Sequence, residues 1–224
     1  MTGISIATKW EWDAVLEYFG KKSEECNKYP FGEHFEIQIG NVSLIFYFTN
    51  TRKVNSAAAN QWMICTYQLS KIIVIGTCAG IDPAYKNLDI VIPNRAVQYD
   101  CTVKEMEPLI KQSFAVDIDL SNLEFEYYTG TIGTADKAVV MWDDYLDLKN
   151  NNIAVADTEA AGVAYVCKKN GVTCLIAKGI SDFPKNKDYS NMNNGNEEQF
   201  NVYLENTPKV MRTVLSDYLE KLII

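Results

Sequence analysis

Four short stretches carry side chains able to hold or move protons, and each directly follows an apolar run. Thr8-Lys9-Trp10-Glu11 follows Ile4 to Ala7, and Gly76-Thr77-Cys78-Ala79-Gly80 follows Ile72 to Ile75. Asp157-Thr158-Glu159 follows Ile153 to Ala156, and Lys178-Gly179-Ile180-Ser181-Asp182 follows Cys174 to Ala177. Carboxyl and hydroxyl groups of this kind suit general acid–base chemistry and imply no metal and no organic cofactor. Taken singly, each has a plainer use. Glu11 serves a helix dipole, Asp157-Thr158-Glu159 caps a helix, Ser181-Asp182 makes a turn, and the glycine-flanked stretch lets backbones approach.

Their joint value depends on the elements that carry them. Short apolar runs alternating with helix-length segments predict strands joined by crossover helices around a largely parallel sheet. The strands are expected at Ile4–Ala7, Val42–Phe48, Ile72–Ile75, Ile90–Ile92, Ile153–Ala156 and Cys174–Ala177, and the helices at about Glu11–Gly20, Val54–Leu69, Glu159–Asn170 and Pro208–Leu222. In such sheets ligands bind at the carboxyl ends of strands. If the strands are parallel at these points, the three carboxylates and the hydroxyl of Thr77 converge. The segment from Pro184 to Asn196 is rich in asparagine and reads as a surface loop or lid. The stretch from Glu105 to Leu123 has no clear period and is left unassigned.

Other chemistries find little support. The single histidine, His34, lies in the alternating run Glu33 to Ile39, which predicts a half-buried strand and a structural role. No motif around it suggests zinc or a Ser-His-Asp triad. Cys26, Cys65, Cys78, Cys101, Cys167 and Cys174 form no CxxC pair, and several of them sit inside apolar runs where a buried thiol is the ordinary reading. Cys78 as a nucleophile would lack a nearby base. The glycine stretch matches neither the dinucleotide fingerprint nor the phosphate loop of ATPases. A net charge of −8, from 29 acidic and 21 basic residues, leaves no basic face for nucleic acid. No apolar run approaches the roughly 20 residues that span a bilayer, and the start lacks a basic segment leading an apolar one, so no membrane partner and a cytosolic location are expected. The 224 residues, 47 % of them hydrophobic, suffice for one globular domain over 1–224.

The order of the motifs carries a resemblance. Ala-x-x-x-Glu near the start, Ile-Gly-Thr-Cys-Ala-Gly-Ile, Leu-Asp-Ile-Val, Asp-Thr-Glu-Ala-Ala-Gly-Val-Ala and Ile-Ser-Asp resemble, in that order from about Ile4 to Leu204, the nucleoside phosphorylase superfamily. The resemblance is strongest to its 5′-methylthioadenosine/S-adenosylhomocysteine nucleosidases. It implies an α/β fold, a three-layer α/β/α sandwich around a twisted mixed sheet, and a homodimer acting on a small purine nucleoside.

It also implies roles. Asp182 matches the acid that protonates N7 of the leaving purine, Glu159 the carboxylate that grips the ribose hydroxyls, and Glu11 the acid that places and activates water. Thr77 stands beside that water, and Ser181 orients the acid. Cys78, Ala79, Ala138 and Val139 would line the base pocket, Asp157 and Thr158 would lie by the ribose, and Lys178 stands where many members have arginine. The residue types suit the reaction. Breaking an N-glycosidic bond builds positive charge on the ribose and negative charge on the purine, so a proton donor at N7 and carboxylates near the sugar both stabilise the transition state. Asp182 is therefore expected to hold a proton near neutral pH and Glu159 to stay ionised.

Phosphorolytic relatives hold phosphate with arginines, whereas here Glu11 and Val74 occupy the matching places, which favours water as nucleophile. Arg52 keeps a phosphorylase as the alternative, and a non-catalytic nucleoside-binding or storage relative is the other. The aromatic residue that stacks on adenine in bacterial members is replaced by Ala138, leaving Trp10, Phe183, Phe200 or a partner subunit to restore it. Thr158, in place of a methionine, makes the ribose floor smaller and more polar.

Overall fold

The structure, a computed structural model, describes residues 1–100, 115–139, 142–184 and 192–224, with main chain alone for 192–196. Cys101 and residues 185–191 of the asparagine-rich stretch lie outside the described residues. The sheet opens with β1 (Thr2–Ile6), followed by α1 (Lys9–Tyr18), the antiparallel strands β2 (Asn27–Tyr29), β3 (Gly32–Ile39) and β4 (Val42–Phe48), and α2 (Lys53–Tyr67). Then come β5 (Lys71–Gly80), β6 (Ile90–Val91), β7 (Arg95–Gln98), β8 (Val116–Asp117) and β9 (Thr131–Thr134). The chain closes with α3 (Trp142–Asn150), β10 (Ile153–Asp157), α4 (Ala160–Asn170), β11 (Thr173–Asp182), α5 (Met192–Thr213), a π-type stretch over Val214–Tyr218, and α6 (Leu219–Ile223).

The strand order is β2-β3-β4-β1-β5-β10-β9-β7-β8, with β11 paired to β5 and β6 paired to β11. Helix α1 packs on α5 and α2 packs on α4, so helices cover the mixed sheet as an α/β layered fold. The core is the expected apolar one: Ile4, Ile6, Phe46, Ile73, Ile75, Leu175 and Ile176 are buried between the layers, each contributing roughly 1.5–3 kcal/mol. His34 is buried in β3 beside Tyr29 and Tyr67, a packing position. Cys26, Cys65, Cys78, Cys167 and Cys174 are free thiols. No helix among the described residues is long and apolar enough to cross a membrane.

Three differences from the sequence-based expectation matter for the site. Strands β5 and β11 run on through Gly80 and Asp182, so Thr77, Cys78, Ser181 and Asp182 stand on paired strands and not in loops after them. Thr77, Ser181 and Asp182 break the apolar pattern there because they face a cavity, and Gly76, Gly80 and Gly179 break it because side chains of other elements press on them. Next, β10 pairs with β5 antiparallel, through Val155 with Gly80 and Ala156 with Ala79. The end of β10 thus meets the far half of β5, and convergence does not require every strand to be parallel. Last, the final long helix begins at Met192, with Pro208 inside it.

Candidate active site

A cavity of about 380 Å³ opens where β5, β10 and β11 meet α1 and α5, a size suited to a small organic ligand. Glu11, Thr77, Cys78, Ala79, Ala138, Val139, Asp157, Thr158, Glu159, Ser181 and Asp182 all line it. Lys178 does not line it and lies wholly buried behind the carboxylates.

Glu11 joins two roles. Thr8 caps α1, its hydroxyl accepting from the Glu11 N–H, and its own N–H donates back to Glu11 Oε2 at 2.9 Å. This capping box orients the carboxylate. Its other oxygen, Oε1, accepts from the Thr77 N–H at 2.6 Å and the Thr77 hydroxyl at 2.8 Å. Gly76 makes this approach possible: its φ is +156°, and a Cβ there would lie 2.5 Å from Glu11 Oε1 and 3.0 Å from Lys178 Nζ.

Asp157 is the helix cap. Its carboxylate accepts from the N–H of Ala160, at 3.0 Å for Oδ2, and from the Thr134 hydroxyl at 2.6 Å. Oδ2 also lies 3.3 Å from Lys178 Nζ. Glu159 turns to the cavity instead. Its Oε1 accepts from the Arg52 N–H at 2.9 Å and from the Thr158 hydroxyl, and its Oε2 stands 3.9 Å from Lys178 Nζ. Burial works against the charge on Lys178, but the carboxylates of Asp157, Glu11 and Glu159 outweigh it and hold the ammonium above its ordinary range.

The acid end is built by a bulge. The register of β11 against β5 shifts between Ile180 and Asp182, and this extra residue lets Ser181 and Asp182 face the same cavity. The Asn206 amide holds the bulge by donating to Ser181 O at 2.7 Å. The Ser181 hydroxyl lies 2.5 Å from Asp182 Oδ1, and the Gln199 amide nitrogen donates to Asp182 Oδ2 at 2.6 Å. Burial pushes the Asp182 carboxyl up from its ordinary value, and these two bonds only partly offset it. Burial likewise pushes Glu159 up, to about 7, with Lys178 pulling down and Asp157 pushing up. The expected contrast between a protonated Asp182 and a fully ionised Glu159 is therefore not built into the empty cavity: both carboxyls are 3–7 % exposed, and Glu159 shares one ammonium with Asp157. Burial also raises the Cys78 thiol well above its ordinary range, which leaves it unsuited to act as a nucleophile.

Ala138 brings no aromatic surface, as the sequence indicates. Trp10, Phe200 and Tyr203 form an aromatic cluster on the cavity wall, whereas Phe183 packs against Gly80, where a Cβ would lie 2.3 Å from its ring. Gln199 and Tyr203 are site residues that sequence reading passes over. Their signal is the spacing of Gln199, Tyr203, Asn206 and Val210 along one helix face, visible only if α5 starts ahead of Pro208. Among the described residues no group of side chains could hold a metal ion.

The sequence matches the phosphorylase superfamily over residues 2–216. The chain belongs to that superfamily. Relatives of this superfamily member include an aminodeoxyfutalosine nucleosidase of Helicobacter pylori, 24 % identical over 98 % of this chain and 98 % of the relative. A 5′-methylthioadenosine/S-adenosylhomocysteine nucleosidase of a Marinomonas species is 26 % identical over 73 % of this chain and 76 % of the relative. Among solved structures, an S-adenosylhomocysteine nucleosidase of Streptococcus pyogenes in complex with 5-methylthiotubericidin has a TM-score of 0.79 at 18 % identity, over 100 % of this chain and 97 % of that one. A Helicobacter pylori nucleosidase mutant with 5′-methylthioadenosine in its active site has a TM-score of 0.76 at 20 % identity, over 96 % and 98 %. The fold of this superfamily member is thus that of N-ribosyl hydrolases.

Proposed function

We propose that this chain is a purine nucleosidase that uses water to cleave the N-glycosidic bond of 5′-methylthioadenosine, S-adenosylhomocysteine or a related purine nucleoside. The observation that supports it is one cavity with a buried, bulge-mounted carboxylic acid, Asp182, on one side and two buried carboxyls, Glu11 and Glu159, on the other. In this reading Glu159 accepts from the ribose hydroxyls. As the C1′–N9 bond breaks, its electron pair goes to the purine, and Asp182 gives N7 its proton. Water adds to C1′ and passes a proton to Glu11. The products are free base and free sugar, and the cycle closes when Glu11 releases its proton and Asp182, left as a carboxylate, takes one up, with no net change in protons.

Water is favoured over phosphate because both donors of Thr77 are already spent on a carboxylate, and a phosphate dianion beside Glu11 would be repelled. Arg52 lines the cavity, but the bond it gives to Glu159 comes from its backbone. A homodimer is part of the reading: Trp10 and Phe200, at 47 % and 46 % exposed, stand at the cavity and leave apolar surface for a second copy to cover.

The test is a panel of purine nucleosides incubated with and without millimolar phosphate, with base, ribose and ribose 1-phosphate measured. Free sugar formed at a rate indifferent to phosphate is expected. Ribose 1-phosphate as the main product would make the protein a phosphorylase, and tight binding without turnover would make it a binding protein.

A further inference from the structure

We infer that Gln199 is a positioning residue that fixes which oxygen of Asp182 carries the transferable proton. The inference rests on the nucleosidase reading and adds to it a residue that reading leaves without a role. Gln199 is buried at 8 % exposure in α5, and one atom of its carboxamide makes two contacts, 2.6 Å to Asp182 Oδ2 and 3.1 Å to the main-chain oxygen of Val139. A main-chain carbonyl can only accept, so the atom facing Val139 is the amide nitrogen, and the same nitrogen necessarily donates to Oδ2. In a neutral carboxyl group the carbonyl oxygen is the stronger acceptor. Oδ2 is therefore the carbonyl side, and the acid proton resides on Oδ1.

Oδ1 faces the Ser181 hydroxyl at 2.5 Å, and that hydroxyl is also 3.2 Å from Cys78 O, which again only accepts. When Asp182 is neutral these constraints have one joint solution. Asp182 Oδ1–H points at Ser181 Oγ, and Ser181 turns its own hydrogen to Cys78 O. When Asp182 has given up its proton, Ser181 can turn its hydrogen to Oδ1, so the carboxylate accepts from Ser181 and Gln199 together. As the purine leaves, the Oδ1–H swings from Ser181 Oγ to N7 and is transferred, and the hydroxyl rotor of Ser181 turns from Cys78 O to the carboxylate left behind, while the Gln199 bond to Oδ2 is kept.

Gln199 thus opposes the burial of Asp182, since an N–H donor favours the ionised form. Among the described residues the titratable groups that line the cavity with Asp182 are Cys78 on β5, Asp157 on β10, Glu159 ahead of α4, Glu11 on α1, Tyr203 on α5, Arg52 ahead of α2 and Lys137 after β9, with Lys178 on β11 buried behind the carboxylates. Glu197 and Glu198 on α5 are exposed. Asp182 forms no ion pair with any described residue, so Gln199 and Ser181 are the polar partners its charge has.

Gln199→Leu keeps the bulk and removes the donor. With carboxyl-carbon NMR of the full-length protein, the Asp182 signal assigned by its absence in Asp182→Asn, the titration of Asp182 should move to higher pH by on the order of one unit in Gln199→Leu. In a nucleosidase assay the limb of kcat/KM that belongs to Asp182 should move with it, and kcat should fall on the order of tenfold with KM little changed, as expected when only orientation is lost. Gln199→Glu should raise the Asp182 titration further still, because two carboxyls then share one proton. An unshifted Asp182 titration in both folded variants would overturn the role of Gln199 whatever the activity. A wild type that cleaves no nucleoside but shows the NMR shift would instead overturn the nucleosidase reading and leave the Gln199–Asp182 coupling standing.

Discussion

The main-chain N–H of Arg52 reaches Glu159 Oε1 at 2.9 Å from a backbone held at φ +80°, ψ 159°. That conformation belongs to glycine, and a residue with a side chain is held in it at a cost of about 1–3 kcal/mol. The bond to Glu159 and the start of α2 together keep it there. Arg52→Gly should therefore raise stability, by about 1 kcal/mol after the greater freedom of glycine in the unfolded chain is subtracted, and should leave turnover of an uncharged nucleoside intact. A urea titration measures the first and a steady-state assay the second. A rise in KM confined to substrates with an anionic substituent would assign the guanidinium to that substituent.

Asp182→Asn should lose turnover on the order of 10²-fold or more, because the amide can still sit beside N7 but has no proton to give. Binding of a non-hydrolysable purine nucleoside, followed by calorimetry, should change little. Near-normal turnover in the folded variant would remove Asp182 from the acid role.

Glu159 should shape the pH profile. It must be ionised to accept from the ribose hydroxyls, and burial holds it at about 7 in the empty site. One limb of kcat/KM should then fall near 7, since that ratio reports the free enzyme. In kcat the limb should lie lower, because bound hydroxyls favour the ionised form. Glu159→Gln should abolish that limb. For stability the sign is opposite: with its folded pKa above the ordinary 4.5, Glu159 contributes most below that value and loses its contribution as pH rises through about 7.

Lys178→Met should be costly, about 3–5 kcal/mol by denaturant, since it leaves Asp157, Glu159 and Glu11 facing one another without the buried ammonium. Equal stability of the variant would mean that these carboxyls are already neutral in the fold.

Sedimentation should find a dimer, with Trp10→Ala and Phe200→Ala weakening it, because both side chains stand exposed at the cavity. A fully active wild-type monomer would refute this.

What the sequence made legible follows from where polarity is tolerated. The buried runs Ile4–Ala7, Val42–Phe48 and Ile72–Ile75 announce their strands because nothing but side-chain burial shapes them. Strand β9, Thr-Ile-Gly-Thr, offers no such run, since Gly133 makes room for Tyr99 and Thr134 serves the cap at Asp157. Helix α3 is obscured by Asp143, Asp144 and Asp147. Pro208 reads as the first residue of a helix because its missing N–H is harmless there, yet α5 carries it mid-course. The carboxyls of the site were readable from their place after apolar runs. Gln199 was not, for its meaning depends on the helix that brings it back across the sheet to Asp182.

The bulge at Ser181 sits in the long β5–β11 ladder, whose paired amides run from Thr173 to Asp182. Amides in the middle of such a ladder exchange with solvent only when the whole molecule opens. The Thr77 N–H leaves that ladder for Glu11 Oε1 and the Ile180 N–H leaves it for Asp89 O. These two amides should therefore exchange in deuterium oxide faster than those of Ile73 and Leu175, which marks the acid end of the cavity as able to open while the rest of the sheet stays closed.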